Sequence, residues 1–454
     1  MNGRHTTSLF LGLADCVSLL AVFNIIAFFR GVTAWDNPIF TALLVPCALL
    51  VAAIYLIEGY DARADFISLD YTSLHIISIG IVTLVTLLVT FVVVPGGYSL
   101  VESRGVIVLG FLTLAPITIG YRRMWYLGTI QARRQRTIVF AGDSASCSEF
   151  AAECRQMQAG HPILLTVTEE RPPTGAPGLI SLREAFAWIE AGTIEPEAIV
   201  LREANPQLPQ ELSERLLQLY FSGVPIYTLE FFHETYWGKI PRYRLNQIWL
   251  FQEGFRITRE PVFEHAKRLS DLFLAGAGLL LFLPLLALGS LAVWLEDRGP
   301  VFFAQTRIGR NRVPFRMFKL RTMRPERTGT NHPYTRESDS RVTRVGRLLR
   351  ASRLDEVPQL WNVLRGEMSL IGPRAEWDLL VARYEAQIPC YHFRHLVKPG
   401  ITGWAQINYP YGANLEDTMR KLEYDLYYIR HFSFLLDASI VLKTIHIMLF
   451  GKGR

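Results

Sequence analysis

The sequence predicts a membrane protein made of four transmembrane α-helices, an α/β domain, and a mainly α, membrane-associated C-terminal domain with a re-entrant helix. Three observations lead there. Half of the 454 residues are apolar and gathered into long runs. A strand–helix alternation follows the first four runs, and a fifth uncharged run stands just before a strongly basic stretch. The parts divide at 1–130, 131–250 and 251–454.

The first four runs, 8–29, 38–57, 71–95 and 105–127, each come near the ~20 residues a helix needs to cross a bilayer. Asp15 inside the first run is costly in lipid and is expected to face another helix. Arg122, Arg123, Arg133, Arg134 and Arg136 cluster at the end of the fourth run and place that end in the cytoplasm. Four crossings then put the N-terminus there too, in keeping with Arg4, although the 58–70 loop on the same side is not basic. The first run lacks a clear small-residue cleavage site and reads as an anchor.

From residue 137 the texture is that of an α/β domain. Thr137–Gly142, Ile163–Val167, Ala198–Leu201 and Val224–Leu229 read as buried strands with helical patterns between them, a Rossmann-like alternation. The first turn, Gly142-Asp-Ser-Ala-Ser-Cys147, keeps only the first glycine of a dinucleotide fingerprint. No cofactor is expected there; a regulatory or oligomerising role is, and a homo-oligomer stays open. A linker with Trp237 and Trp249 leads onward.

Leu272–Leu295 is 24 residues without a charge, with Pro284 near its centre. Length alone allows a spanning helix. Spanning would place the basic stretch that follows on the far side, against the positive-inside tendency. Lys267 and Arg268 before it and Arg298 after it fit a segment that enters and leaves on one face, about 270–296, bent at Pro284. The C-terminal Phe432–Phe450, apolar with Asp437, Lys443 and His446, suits an interfacial helix.

Net charge is only +6, yet Arg298–Arg350 holds fourteen Lys or Arg against three acidic residues. Such a block attracts phosphates and lipid headgroups. Nucleic acid is excluded as a partner because the block adjoins a membrane segment and no nucleic-acid motif is visible. The cysteines Cys16, Cys47, Cys147, Cys154 and Cys390 form neither a CxxC nor a metal cluster.

Several stretches after Lys267 stand in a fixed order: Lys267-Arg-Leu-Ser-Asp271, Gln305-Thr-Arg-Ile-Gly309, Phe318-Lys-Leu-Arg-Thr-Met323, Leu354-Asp-Glu-Val-Pro-Gln359, Asn362-Val-Leu-Arg-Gly366, Met368-Ser-Leu-Ile-Gly-Pro-Arg374, Lys398-Pro-Gly-Ile-Thr-Gly-Trp-Ala-Gln406 and Asp425-Leu-Tyr-Tyr428. In these the chain resembles the bacterial sugar transferase family, the monotopic polyprenyl-phosphate phosphoglycosyl transferases, in its long form. It departs in having Leu283-Pro284 where some members carry Ser-Pro.

The resemblance implies transfer of hexose-1-phosphate from a UDP-sugar, UDP-glucose first and UDP-galactose next, to undecaprenyl phosphate. It further implies Mg²⁺, a multi-pass place in the bacterial inner membrane with the catalytic domain cytoplasmic, and a role in exopolysaccharide, capsule or O-antigen synthesis. The family's catalytic pair falls on Asp355 and Glu356, with Asp355 as covalent nucleophile and Glu356 supporting Mg²⁺.

On their own terms these are adjacent acids in a basic surround that keeps them ionised. Consecutive helical residues point about 100° apart and so serve different atoms. The residues alone equally allow a helix start, with Ser352-x-x-Asp355 as a capping box and Pro358 in the first turn. Arg374, Arg350 and Lys319 are candidate phosphate ligands. Asp425 is expected either to ligate Mg²⁺ or to hold an arginine. Pro399-Gly400 and Gly403 mark a tight loop, serving either a nucleotide or the fold alone. Trp361 and Trp404 read as core or interfacial anchors. A non-catalytic membrane scaffold or regulator of polysaccharide export is the alternative of a different class.

Overall fold

A computed structural model describes residues 2–61, 64, 66–93, 100–134, 136–157, 161–167, 179–202, 210–241, 261–324, 341–409 and 414–450. The chain forms two compact units, Met1–Trp237 and Gly238–Arg454. The boundary expected at 250/251 and Trp249 lie outside the described residues.

The apolar runs of the first unit form helices α1 (Asn2–Phe29), α2 (Leu44–Leu56), α3 (Leu69–Val93) and α4 (Leu100–Arg134). Helix α4 packs on α1 and α3, and α2 on α3. Phe23 meets Phe111 edge to face at 5.0 Å. Gly110 permits this approach, because a Cβ there would lie 2.6 Å from the Phe23 ring. Helices α1, α3 and α4 are long and apolar enough to cross a membrane. The second run yields a shorter apolar helix, Thr41–Leu56. Its start is delayed because the Asn24 side chain holds Ile39 from both sides, accepting from its N–H at 2.6 Å and donating to its carbonyl at 3.1 Å. Sixteen helical residues rise ~24 Å, below the ~30 Å of a bilayer core.

Asp15 does face another helix. Its carboxylate takes both Arg122 guanidinium ends, at 2.5 and 2.8 Å, a donated bond from Tyr60 at 2.6 Å and another from Tyr121. Asp15 and Arg122 are fully buried.

The α/β region holds β1 (Thr137–Gly142), α5 (Ser144–Gln156), β2 (Ile163–Val167), β3 (Leu179–Ser181), α6 (Leu182–Glu190), β4 (Pro196–Leu201), α7 (Gln210–Phe221), β5 (Ile226–Thr228) and the short α8 (Leu229–Phe232). The strands make a parallel sheet in the order β3-β2-β1-β4-β5. Alternation along β1 sends Ile138 and Phe140 to a core with Phe150 and Phe232, and Val139 and Ala141 to a second core with Phe186 and Leu212. The three-residue β3 was too short to be legible as a strand. At the turn after β1, the Asp143 carboxylate caps α5 by accepting from the Ser146 N–H at 2.7 Å, and Arg202 donates to both its oxygens at 2.6 Å. The Ser146 bonds and Arg202 lower this carboxyl to about 2. A carboxylate thus sits where a dinucleotide fingerprint would offer glycine amides.

In the second unit α9 (Pro261–Asp297) is continuous through Pro284, so the hairpin break expected there is not seen, and Phe263–Asp297 is itself long and apolar enough to cross a membrane. The hairpin β6 (Phe302–Ile308) and β7 (Pro314–Leu320) follows, antiparallel from Phe302↔Leu320 to Ile308↔Pro314. Then come α10 (Arg344–Ala351), α11 (Gln359–Arg365), β8 (Ser369–Ile371), α12 (Asp378–Gln387), β9 (Gly400–Thr402), α13 (Trp404–Asn408), α14 (Leu415–Arg430) and α15 (Phe434–Phe450). Strands β8 and β9 pair in parallel.

One stripe of α9 packs along this domain on both sides of the proline. Ala275 joins a core with Phe315, Met317 and Val363. Beyond Pro284, Leu286 and Val293 pack on Leu320 and Leu349. The ends are tied as well. Lys267 pairs with Asp437 at 2.5 Å, Arg321 pairs with Asp297, and Glu296 accepts from the Arg344 and Val345 N–H groups at the start of α10. Leu280, Leu281, Leu283, Leu288 and Leu291 on the same helix are exposed.

Asp15→Ala strands the Arg122 guanidinium in an apolar bundle. We expect a loss of about 3–5 kcal/mol in the unfolding of detergent-held protein, with Asp15→Asn intermediate. An unchanged unfolding midpoint in both variants would refute a structural role for this pair.

Candidate active site

Asp355 and Glu356 lie on a single 3₁₀ turn, Leu354–Glu356, between α10 and α11. Arg353 ahead of it is left-handed (φ 58°) and breaks the helix there. The capping-box alternative does not hold. The Ser352 hydroxyl donates backward to Leu348 and Leu349 carbonyls at 3.0 and 3.2 Å, closing α10. Pro358 does stand at the start of α11.

Three segments deliver cations to this turn. Lys319 on β7 donates to Glu356 Oε1 at 2.7 Å. Arg374, just after β8, approaches the same oxygen at 3.7 Å. Arg350 in the last turn of α10 donates to Thr322 Oγ1 at 2.9 Å and lowers the Asp355 pKa through its charge. The structure therefore gathers Lys319, Arg350 and Arg374 about the acid pair.

The two acids are held differently. Burial alone would raise Glu356, but Lys319, Arg374 and Arg353 outweigh it and bring its carboxyl down to about 2. Asp355 moves the other way: burial and the neighbouring Glu356 charge raise it against Lys319, Arg350 and Arg353. The basic surround expected to act on both acids thus dominates only for Glu356. Asp355 Oδ1 is buried and has no hydrogen-bond partner, a costly condition for a carboxylate oxygen. Burial also lowers Lys319, against the pull of Glu356.

Asp425, on α14, holds an arginine. It is buried and accepts from Arg394 at 2.8 Å, and burial lifts its carboxyl to about 6 against that arginine. Of the two roles expected for Asp425, holding an arginine is the one seen: its Oδ2 accepts from Arg394. Arg394 also donates to the Arg374 carbonyl at 3.0 Å and to Tyr391 at 2.7 Å. Asp425 is therefore a positioning residue for the Arg374 segment.

Among the described residues no cluster of three or more His, Cys, Asp or Glu is spaced to hold a metal. The unpaired Asp355 oxygen with Glu356 nevertheless suits Mg²⁺, which keeps several waters and takes one or two carboxylates alongside substrate phosphates.

Three contributors were not singled out as site residues in the sequence. Buried Asn362 accepts from the Phe318 N–H at 3.1 Å and donates to the Arg316 carbonyl and Glu367, both at 2.7 Å, which locks β7 to α11. The others are buried Arg394 and half-buried Arg307. Arg307 donates to the Ala375 carbonyl at 3.1 Å and Gln305 at 2.7 Å. The glycine loop serves the fold: a Cβ on Gly400 or Gly403 would strike Gly372 backbone at 2.1 Å. The Trp404 indole donates to the Gly238 carbonyl at 2.6 Å inside the core, whereas Trp361 is half exposed.

Fold and site together define a membrane-type protein with a carboxylate pair among basic side chains beside a long apolar helix. The profile of the family described as bacterial sugar transferase matches residues 262–451. A UDP-glucose:undecaprenyl-phosphate glucose-1-phosphate transferase of Caulobacter vibrioides is 44% identical over 181 residues, covering 39% of this chain and 68% of that protein. The exopolysaccharide production protein PSS of Rhizobium leguminosarum bv. phaseoli is 37% identical over 185 residues, 39% of this chain and 92% of that protein. A UDP-N-acetylgalactosamine-undecaprenyl-phosphate N-acetylgalactosaminephosphotransferase of Aeromonas hydrophila is 37% identical over 264 residues, 58% of this chain and 62% of that protein. The chain belongs to the bacterial sugar transferase family.

Two stability predictions follow from the split pair. Asp355→Asn removes a disfavoured buried charge and is expected to raise the thermal midpoint, by ~2–4 °C per kcal/mol gained; a fall would mean the carboxylate is well satisfied. Glu356, lowered from 4.5 to about 2, contributes stability that is complete above pH 4.5 and lost as pH falls toward 2. Melting wild type and Glu356→Gln across that window should show their difference shrinking as acid is added, and a constant difference would refute it.

Proposed function

We propose that the chain transfers hexose-1-phosphate from a UDP-sugar to undecaprenyl phosphate, giving undecaprenyl-diphosphate-sugar and UMP through a covalent aspartyl intermediate. The observation that carries this is the unpaired Asp355 oxygen beside a Glu356 already engaged by Lys319 and Arg374. The first supplies a nucleophile, and the second orders the cations that bind phosphate. The names of the Aeromonas and Caulobacter relatives support the donor and acceptor classes.

An Asp355 carboxylate oxygen attacks the sugar-bearing phosphorus, the P–O bond to UMP breaks, and UMP departs with that oxygen. A phosphate oxygen of the carrier lipid then attacks the same phosphorus. The Asp355–phosphorus bond breaks and the carboxylate is restored. Lys319, Arg350 and Arg374 hold the non-bridging oxygens, where charge gathers in the transition state. Mg²⁺ would be supported by Glu356 and would neutralise diphosphate charge.

We place α9 as a re-entrant segment in the inner membrane with the site on the cytoplasmic face. Continuous packing of one helix stripe on the catalytic domain, on both sides of Pro284, supports this over a simple crossing. Among donors UDP-glucose is placed first and UDP-galactose next. The Aeromonas relative, whose match covers 58% of the chain, adds UDP-N-acetylgalactosamine. The product would enter exopolysaccharide, capsule or O-antigen synthesis.

The test is UMP release from these donors by nanodisc-held protein with undecaprenyl phosphate and Mg²⁺. Release with one donor, abolished in Asp355→Asn and about 100-fold lower in Arg374→Ala, is expected. No release with any donor, or release surviving Asp355→Asn, would leave a non-catalytic scaffold as the better reading.

A further inference from the structure

A second cavity in the C-terminal unit contains none of the residues of the acid-pair site. Its volume is about 220 Å³, and its walls include Lys267, Arg268, Asp271, Arg310 and Lys398 with the apolar Val397 and Phe432. With a water's share of liquid near 30 Å³, it has room for one phosphate-sized group.

Most of its charges are already engaged. Lys267 pairs with Asp437 at 2.5 Å. Arg310 holds Glu264 at 2.6 Å. Asp271 accepts from Ser369 and from the Leu370 N–H at 3.1 and 3.0 Å. Arg268 donates to the Val363 and Leu364 carbonyls at 2.5 and 2.7 Å, closing the end of α11, so its charge is not cancelled by a carboxylate. Lys398, half-buried, makes no ion pair or hydrogen bond with any described residue. These two cations converge: a Cβ on Gly366 would lie 3.3 Å from the Arg268 guanidinium and 3.7 Å from Lys398 Nζ. Burial, Arg268 and Arg310 lower the Lys398 pKa against the pull of Asp271 and Glu264, a cost that a bound anion would offset.

We propose that this cavity is a phosphate-binding site separate from the acid pair, with Lys398 as its principal ligand. Its position favours a phosphate carried by a lipid. The wall residues Glu264–Asp271 belong to the first turns of α9, and exposed Leu269, Phe273 and Leu274 begin the apolar surface there. A headgroup would meet the cations while its chains lie along that surface. Occupancy would bear on the acid pair through β8 and β9, because the Lys398 carbonyl lies 2.4 Å from where a Gly372 Cβ would be, two residues before Arg374. The inference does not depend on the proposed reaction.

The test uses full-length protein in detergent and reads acetylation of Lys398 by acetic anhydride, site by site, by mass spectrometry. It is run with inorganic phosphate, with short-chain phosphatidic acid, or with short-chain phosphatidylcholine. Protection of Lys398 by at least threefold with phosphatidic acid but not phosphatidylcholine is expected. Protection by inorganic phosphate at similar concentration would support the site and assign it to free phosphate. No protection by either anion, or equal protection by phosphatidylcholine, overturns the proposal. Lys398→Gln should also lose the rise in thermal midpoint that phosphatidic acid gives wild type, and Lys398→Arg should keep it. An undiminished rise in Lys398→Gln overturns it equally.

Discussion

The ion pair between Lys319 and Glu356 is the contact on which the candidate site depends. Two neighbouring carboxylates cannot both be buried without compensation, because desolvation and mutual repulsion act together. Lys319 and Arg374 resolve this for one acid and leave the other strained. Asp355 consequently keeps a buried oxygen with no partner. The asymmetry gives two chemically similar side chains different environments, one paired with cations and the other with an unpartnered buried oxygen.

That arrangement needs a rigid frame, which buried polar contacts away from the acids provide. Asn362 ties the strand carrying Lys319 to the helix that follows the acid pair. Asp425 and Arg394 fix the backbone of Arg374. Gly372, Gly400 and Gly403 let two backbones approach more closely than any side chain allows. Buried ion pairs contribute little net stability compared with apolar packing. Their effect here is to hold side chains from distant parts of the chain at fixed separations.

Elements with a long repeating signal were legible in the sequence: the apolar helices and strands β1, β2 and β4. The acid pair stood out only through the family resemblance, since its residues alone also fitted a helix start. Asp15 was legible as a helix-to-helix contact because a charge in an apolar run has few other solutions. What escaped was set by tertiary context. Asn24 bracketing Ile39 shortened the second apolar helix, and no local pattern announces such a bond. Arg394 and Asn362 look like surface residues until the fold buries them. Ser352 fitted a capping box in sequence, yet its hydroxyl closes the preceding helix, since a left-handed Arg353 separates the two elements.

The second unit carries exposed apolar surface on other elements as well as on α9. Phe302 and Phe303 on β6, Leu348 on α10 and Trp361 on α11 are all at least 48% exposed. Helices α10 and α11 pack against α9, and β6 pairs with β7, the strand that carries Lys319. A water-facing domain has no reason to concentrate large apolar side chains around a polar site, whereas a domain resting at the headgroup level does. Tight packing of the α9 stripe against Leu320 and Leu349 ties this apolar surface to the domain's own core.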